Sequence, residues 1–131
     1  MTNVAVVQRL YDAFARRDAD EIRRLFHPDV EWIQNQGFPG GGRHVGAEAV
    51  LNDVFAKFRT EWSSWAAPVH EWLDAGDTVV AIGEYRGTHQ GTGRSVVAAF
   101  AHVYDLREGK IVRFRQFTDT ALVWDAMGRL S

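Results

Sequence analysis

Apolar residues recur at helical spacing in the first half of the chain and alternate with polar ones in the second half. Val7, Leu10, Tyr11 and Phe14 share one side of a first helix, while Arg9, Asp12, Arg16 and Arg17 fall largely on the other. Asp18 then stands before Ala19-Asp20-Glu21 in an N-cap and N3 arrangement, where the Asp accepts an orphan N–H and the Glu reaches back. A second short helix follows, burying Ile22, Leu25 and Phe26. It ends at His27-Pro28-Asp29, because proline disfavours helical geometry in the residue before it. Val30-Glu31-Trp32-Ile33-Gln34 reads as a strand, and the glycine-rich segment 36–46 as a loop.

The cleanest helical stripe is the third: Ala47, Val50, Leu51, Val54, Phe55 and Phe58, which must lie on a sheet. After Trp62 the pattern turns β-like, with sequential antiparallel strands predicted over 69–74, 78–86, 96–106 and 111–117. The last two meet at the turn Arg107-Glu108-Gly109-Lys110, and 120–127 predicts a short terminal helix. The loop 87–93 holds three glycines and is expected to bend sharply or move. Helices first and long strands afterwards give an α+β domain over 1–131, with the helices on one face of a curved antiparallel sheet. Such a twisted sheet wrapped by three helices leaves a cone with a pocket between its layers.

One acid, Asp119, stands just past the last strand. If its carboxyl faces an apolar pocket, desolvation raises its pKa and makes it a usable base; if it caps the terminal helix, its carboxylate accepts backbone N–H groups instead. Trp32 and Gln34 share strand parity, so an aromatic wall and an amide point the same way. Phe114 and Gln116 share a face with Val112; if that face meets the helices, Gln116 enters the cavity near Asp119, and Arg113 and Arg115 face outward. Tyr11 and Phe14 are expected to wall the cavity from the first helix.

His102 alternates with Phe100 and Tyr104, opposite Ala99, Ala101 and Val103. With the small residues inward, Phe100, His102 and Tyr104 become a dimer face, which three bulky amphipathic side chains on a sheet suit; with the parity reversed, His102 and Tyr104 become catalytic candidates. The first arrangement is favoured. Glu84, an acid in an otherwise apolar strand, rivals Asp119 if it points inward and is a solvated charge if it points out.

Composition narrows the classes. With 46% hydrophobic residues and a net charge of −2 over 131 residues, nothing suggests a nucleic-acid partner. Zero cysteines exclude disulfides, thiolate metal sites and a cysteine nucleophile. No HxH or HExxH spacing occurs among the histidines, so no metal site is expected. No apolar run approaches the roughly 20 residues that span a bilayer, and the start of the chain lacks a signal-peptide pattern. A soluble cytoplasmic protein without a membrane partner is the expectation.

The segments Val6-Val7-Gln8-Arg9, Asp18-Ala19-Asp20, Leu25-Phe26-His27-Pro28-Asp29-Val30-Glu31-Trp32, Gly109-Lys110-Ile111-Val112 and Phe117-Thr118-Asp119-Thr120 together resemble one family. They are similar to the SnoaL-like and ketosteroid-isomerase-like members of the nuclear-transport-factor-like superfamily. The resemblance implies a cone-shaped α+β half-barrel that often dimerises through its sheet, and cofactor-free acid–base chemistry on a small lipophilic carbonyl compound, by cyclisation or isomerisation. A non-catalytic binding or dimerisation module of the same fold is the alternative. Steroid isomerases need an Asp base with an oxyanion hole made by a Tyr and a protonated Asp. Counted along the matching segments, those positions fall on Gln34, Leu10 and Ala101, which removes all three groups. The polyketide cyclases of the family carry an acid at the end of the last strand, and there the resemblance assigns acid–base catalysis to Asp119.

Overall fold

A computed structural model describes residues 1–129, so the last two positions of the domain expected over 1–131 lie outside the described residues. Helix α1 (Asn3–Arg16) begins where the Thr2 hydroxyl accepts from the Ala5 N–H, and ends with Arg17 in the left-handed region. Asp18 caps α2 (Ala19–Leu25) by accepting from the Glu21 N–H at 3.1 Å. The reciprocal half of that cap is absent. The Asp18 N–H is already bonded to the Ala13 carbonyl, and the Glu21 carboxylate turns instead to Arg24 at 2.8 Å.

Among the described residues seven strands form one sheet in the order β2-β1-β7-β6-β5-β3, with β4 also paired to β5. The strands are β1 (Phe26–Gln34), β2 (Gly42–Val45), β3 (Trp62–Ala66), β4 (Val69–Ala75), β5 (Thr78–His89), β6 (Ser95–Arg107) and β7 (Lys110–Thr118). The sheet is not wholly antiparallel: β1 runs parallel to β7. Strand β2 lies inside the segment expected to be loop, and β3 precedes the first strand expected after Trp62. The expected bend at 87–93 begins later, because Gly87 continues β5 opposite Trp65.

Strand β5 carries two partners on one edge, β4 along its first half and β3 along its second. Gly83 marks the handover. A Cβ there would fall 2.1 Å from the Pro68 carbonyl oxygen, so only glycine lets the β3–β4 connection cross so close. This bend curls the sheet into an open cone.

The third helix runs through Ala47–Ala49, a π-helical stretch Val50–Phe55, and Ala56–Glu61. The wider turn is visible in the Ala56 N–H bonding back five residues to Leu51. Its buried side chains Val50, Leu51, Val54 and Phe55 press onto the sheet beside Val7, Leu10 and Ala13 of α1. A terminal helix (Thr120–Ala126) closes the wide end, where Val123 and Ala126 join Phe38, Trp62 and Phe100 in a second apolar cluster. The result is an α+β cone-shaped half-barrel.

Candidate functional site

Between α1, the third helix and the inner sheet face lies a pocket of about 420 Å³, its open mouth included. Leu10, Phe14, Phe55 and Phe58 line its helical side, and Trp32 stacked on Phe114 at 3.8 Å lines the sheet side. Aromatic faces at this density give a flat, apolar slot.

Its floor is polar. The alternation of β6 brings His102 inward between Phe100 and Tyr104, and the imidazole stacks on Phe100 at 3.8 Å. Nδ1 of His102 lies 2.5 Å from the Tyr11 hydroxyl and Nε2 lies 2.6 Å from the Tyr85 hydroxyl. The Tyr104 hydroxyl donates to that of Tyr11 at 2.8 Å, and the Gln116 amide nitrogen donates to that of Tyr85 at 2.7 Å. Gln116 is fixed in turn by accepting from the Asn35 N–H at 2.9 Å. All three tyrosines of the chain meet in this one cluster.

Burial sets the charge state. Desolvation pushes the His102 imidazolium down to about 3, so the ring is neutral at ordinary pH. Desolvation likewise raises the phenols of Tyr11, Tyr85 and Tyr104 above their ordinary range, with the neighbouring tyrosines adding to the effect at Tyr11. The cluster therefore acts through neutral donors and acceptors, not through a fixed charge.

Gln34 completes the polar lining. It is 4% exposed, and its Oε1 accepts from the Trp32 indole at 3.1 Å. Among the described residues nothing accepts from its amide nitrogen, which leaves two N–H donors for a pocket occupant.

The structure brings most of the expected residues together: Tyr11, Phe14, Trp32, Gln34 and Phe114 line the pocket, and Gln116 supports it from behind Tyr85. Asp119 is placed elsewhere. It is exposed, caps the terminal helix by accepting from the Leu122 N–H at 3.2 Å, and does not line the pocket. A solvated capping carboxylate lacks the apolar surroundings that the expectation of a catalytic base required. Glu84 also faces out, paired with His70 at 3.1 Å and Arg86 at 2.6 Å. The His70 hydrogen bond first, then Arg86, holds its carboxyl below the usual range, the opposite of the shift an inward acid would show.

The favoured parity of β6 is corrected. Phe100, His102 and Tyr104 are buried inside, while Ala99, Ala101 and Val103 face outward, so those three bulky side chains form no dimer face. The isomerase position counted onto Ala101 accordingly falls on the outer face, and its neighbour His102 is the residue that points in. Tyr85 was missed altogether. Its signal was the alternation of β5: an outward Glu84 puts the next residue inward, in phase with the buried Val79 and Ala81. Among the described residues no group of three or more His, Asp or Glu is placed to hold a metal ion.

Comparison with known proteins agrees with this architecture. A structure of an NTF2-like protein from Burkholderia thailandensis is 38% identical, with a TM-score of 0.92, covering 97% of this chain and 98% of that one. An NTF2-like protein of unknown function from Burkholderia pseudomallei is 28% identical, with a TM-score of 0.88 and coverage of 98% and 100%. TerC, crystallised with polyporic acid, is 26% identical, with a TM-score of 0.87 and coverage of 97% and 98%. No curated protein matches the chain. The family described as SnoaL-like domain matches residues 7–114. With the match running from the middle of α1 to the inward Phe114 of β7, this chain belongs to the SnoaL-like family.

Proposed function

We propose that the chain holds a small, flat, lipophilic carbonyl compound in the pocket and performs cofactor-free proton-transfer chemistry on it, as an isomerase or cyclase. The observation that carries this reading is the pairing of the unpartnered Gln34 amide nitrogen with the phenol–imidazole cluster inside aromatic walls. Donors in an apolar slot select an occupant with oxygen acceptors on a hydrophobic frame. The co-crystallisation of TerC, which has the same fold, with polyporic acid supports a small-molecule role.

Native mass spectrometry of the protein as purified, followed by titration with aromatic ketones, tests the reading. Ketones should bind and weaken at least about tenfold on Gln34→Leu, a loss of one good hydrogen bond. Equal binding of matched hydrocarbons without the carbonyl would defeat it.

One observation favours the second reading, a binding module without turnover: among the described residues every titratable group lining the pocket is held neutral by burial, and no charged side chain lines it. That reading expects ketones to be retained and recovered unchanged.

Association through the outer sheet face belongs to this proposal on different residues from those first expected. Val97 and Phe117, 55% and 50% exposed, stand there beside Ala99 and Ala101. Light scattering at micromolar concentration should give a dimer, and Phe117→Lys a monomer; a wild-type monomer overturns it.

A further inference from the structure

The hydrogen-bond cluster contains one proton more than its contacts can use. Each of the two phenol oxygens that touch His102 already accepts one hydrogen bond from outside, Tyr11 from Tyr104 and Tyr85 from Gln116. Each then meets one ring nitrogen. A neutral imidazole brings one N–H and the two phenols bring one O–H each, so three protons serve two contacts. In one arrangement Tyr11 donates to Nδ1, Nε2–H donates to Tyr85, and the Tyr85 proton is left over. In the other, Tyr85 donates to Nε2, Nδ1–H donates to Tyr11, and the Tyr11 proton is left over. Both tyrosines line the pocket. The two arrangements differ only by the imidazole tautomer.

We propose that Tyr11, His102 and Tyr85 form a charge-neutral proton relay acting on a β-dicarbonyl compound, one with an acidic C–H between two carbonyl groups. This rests on the carbonyl reading above and deepens it. The Tyr85 O–H gives its proton to the carbonyl oxygen, the Nε2 proton passes to the Tyr85 oxygen, the Tyr11 proton passes to Nδ1, and the Tyr11 oxygen takes the proton from carbon. Four bonds to hydrogen break and four form. The C–H electron pair becomes the new C=C bond, and the former C=O π pair takes the proton on oxygen. The ligand leaves as its enol and the ring ends as the other tautomer. A second diketone bound the other way round resets it, with Tyr11 giving its proton to the carbonyl oxygen, the Nδ1 proton passing to the Tyr11 oxygen, the Tyr85 proton passing to Nε2, and the Tyr85 oxygen taking the proton from carbon. No phenolate or imidazolium forms at any stage, which suits a site where burial penalises every ion. This assigns chemistry to a pocket that no carboxylate lines among the described residues. Gln34, through its free N–H groups, holds the second carbonyl.

The probe is 1-phenyl-1,3-butanedione, with enol formation followed by its ultraviolet band and binding followed by titration. The wild type should speed enolisation, and Tyr11→Phe and Tyr85→Phe should each remove at least about a hundredfold of that acceleration, the range of a lost general acid or base. Retention of the rate by either variant overturns the relay and leaves a single phenol acting as an acid, with the carbonyl reading intact. If the diketone does not bind, the carbonyl reading fails. The relay is then still decided by nitrogen NMR of the unmodified protein. Both His102 ring nitrogens should show shifts averaged between protonated and unprotonated forms, whereas a ring locked in one tautomer overturns the relay.

Discussion

The indole N–H of Trp32 donates to Oε1 of Gln34 at 3.1 Å, two residues along the same face of β1. An indole nitrogen can only donate, so the amide must turn its oxygen toward Trp32 and its NH2 group toward the pocket. One strand neighbour thus sets the polarity of the binding site.

Replacing Trp32 by Phe removes that donor and leaves a buried amide oxygen unpaired. A stability loss of about 1–3 kcal/mol should follow, read as a lower urea midpoint with an unchanged slope. Ketone binding should weaken as well, because the freed amide can present either end. A variant as stable as the wild type would show that the contact does not orient Gln34.

Asp119 should behave as a cap. Asp119→Ala should cost about 1 kcal/mol in urea unfolding, while Asp119→Asn, which keeps a side-chain acceptor, should stay within a few tenths. Ligand binding and any turnover should be unchanged in both. Loss of turnover in the Asn variant alone would return the carboxylate to the chemistry.

The helical half of the fold was legible because its stripes are unambiguous: Val50, Leu51, Val54 and Phe55 are apolar on one side of a helix and polar on the other, and they pack as that pattern requires. The site was half legible for a reason located at one residue. In the β6–β7 hairpin the register starts with the buried Leu106 opposite the buried Ile111, which, continued evenly, would put Phe114 opposite Val103 on the outer face, away from His102. A bulge intervenes, and beyond it Tyr104 faces Phe114 and His102 faces Gln116. Residues opposite each other share a face, so one extra residue at Val112 brings Phe114 and Gln116 onto the face that Tyr104 and His102 share with the buried Leu106. No local residue type announces that bulge, and small apolar residues on the other face make both parities equally readable. The outward Glu84 hid Tyr85 in the same way, by drawing attention to the charged neighbour of the inward residue.

His102 makes stability depend on pH from the acid side. Its native pKa lies near 3, well below the roughly 6.5 of an unfolded histidine, so between those values the unfolded chain binds a proton that the native chain refuses. Stability from this group is complete above about pH 6.5 and is lost as pH falls toward 3, with a slope of up to about 1.4 kcal/mol per pH unit. Urea midpoints measured from pH 7 to 4 should fall more steeply for wild type than for His102→Gln, in which other acidic groups are common to both. Parallel curves would mean that the ring takes up a proton in the native state.

The alkaline side belongs to the tyrosines, and here the chain gives an unusually direct reading because its only three are Tyr11, Tyr85 and Tyr104. Burial first of all raises each of them above its ordinary range. In the unfolded chain they ionise near pH 10, so the native state binds protons that the unfolded state has released, and stability falls as pH rises past about 10. Native protein should show no tyrosinate absorbance at pH 10, where free tyrosine is about half ionised. The absorbance should then appear together with the loss of far-ultraviolet circular dichroism, as one cooperative event. A tyrosinate signal that rises while the circular dichroism stays native would mean that at least one phenol ionises in place, and a cluster able to hold a phenolate has no need to keep its proton transfers neutral.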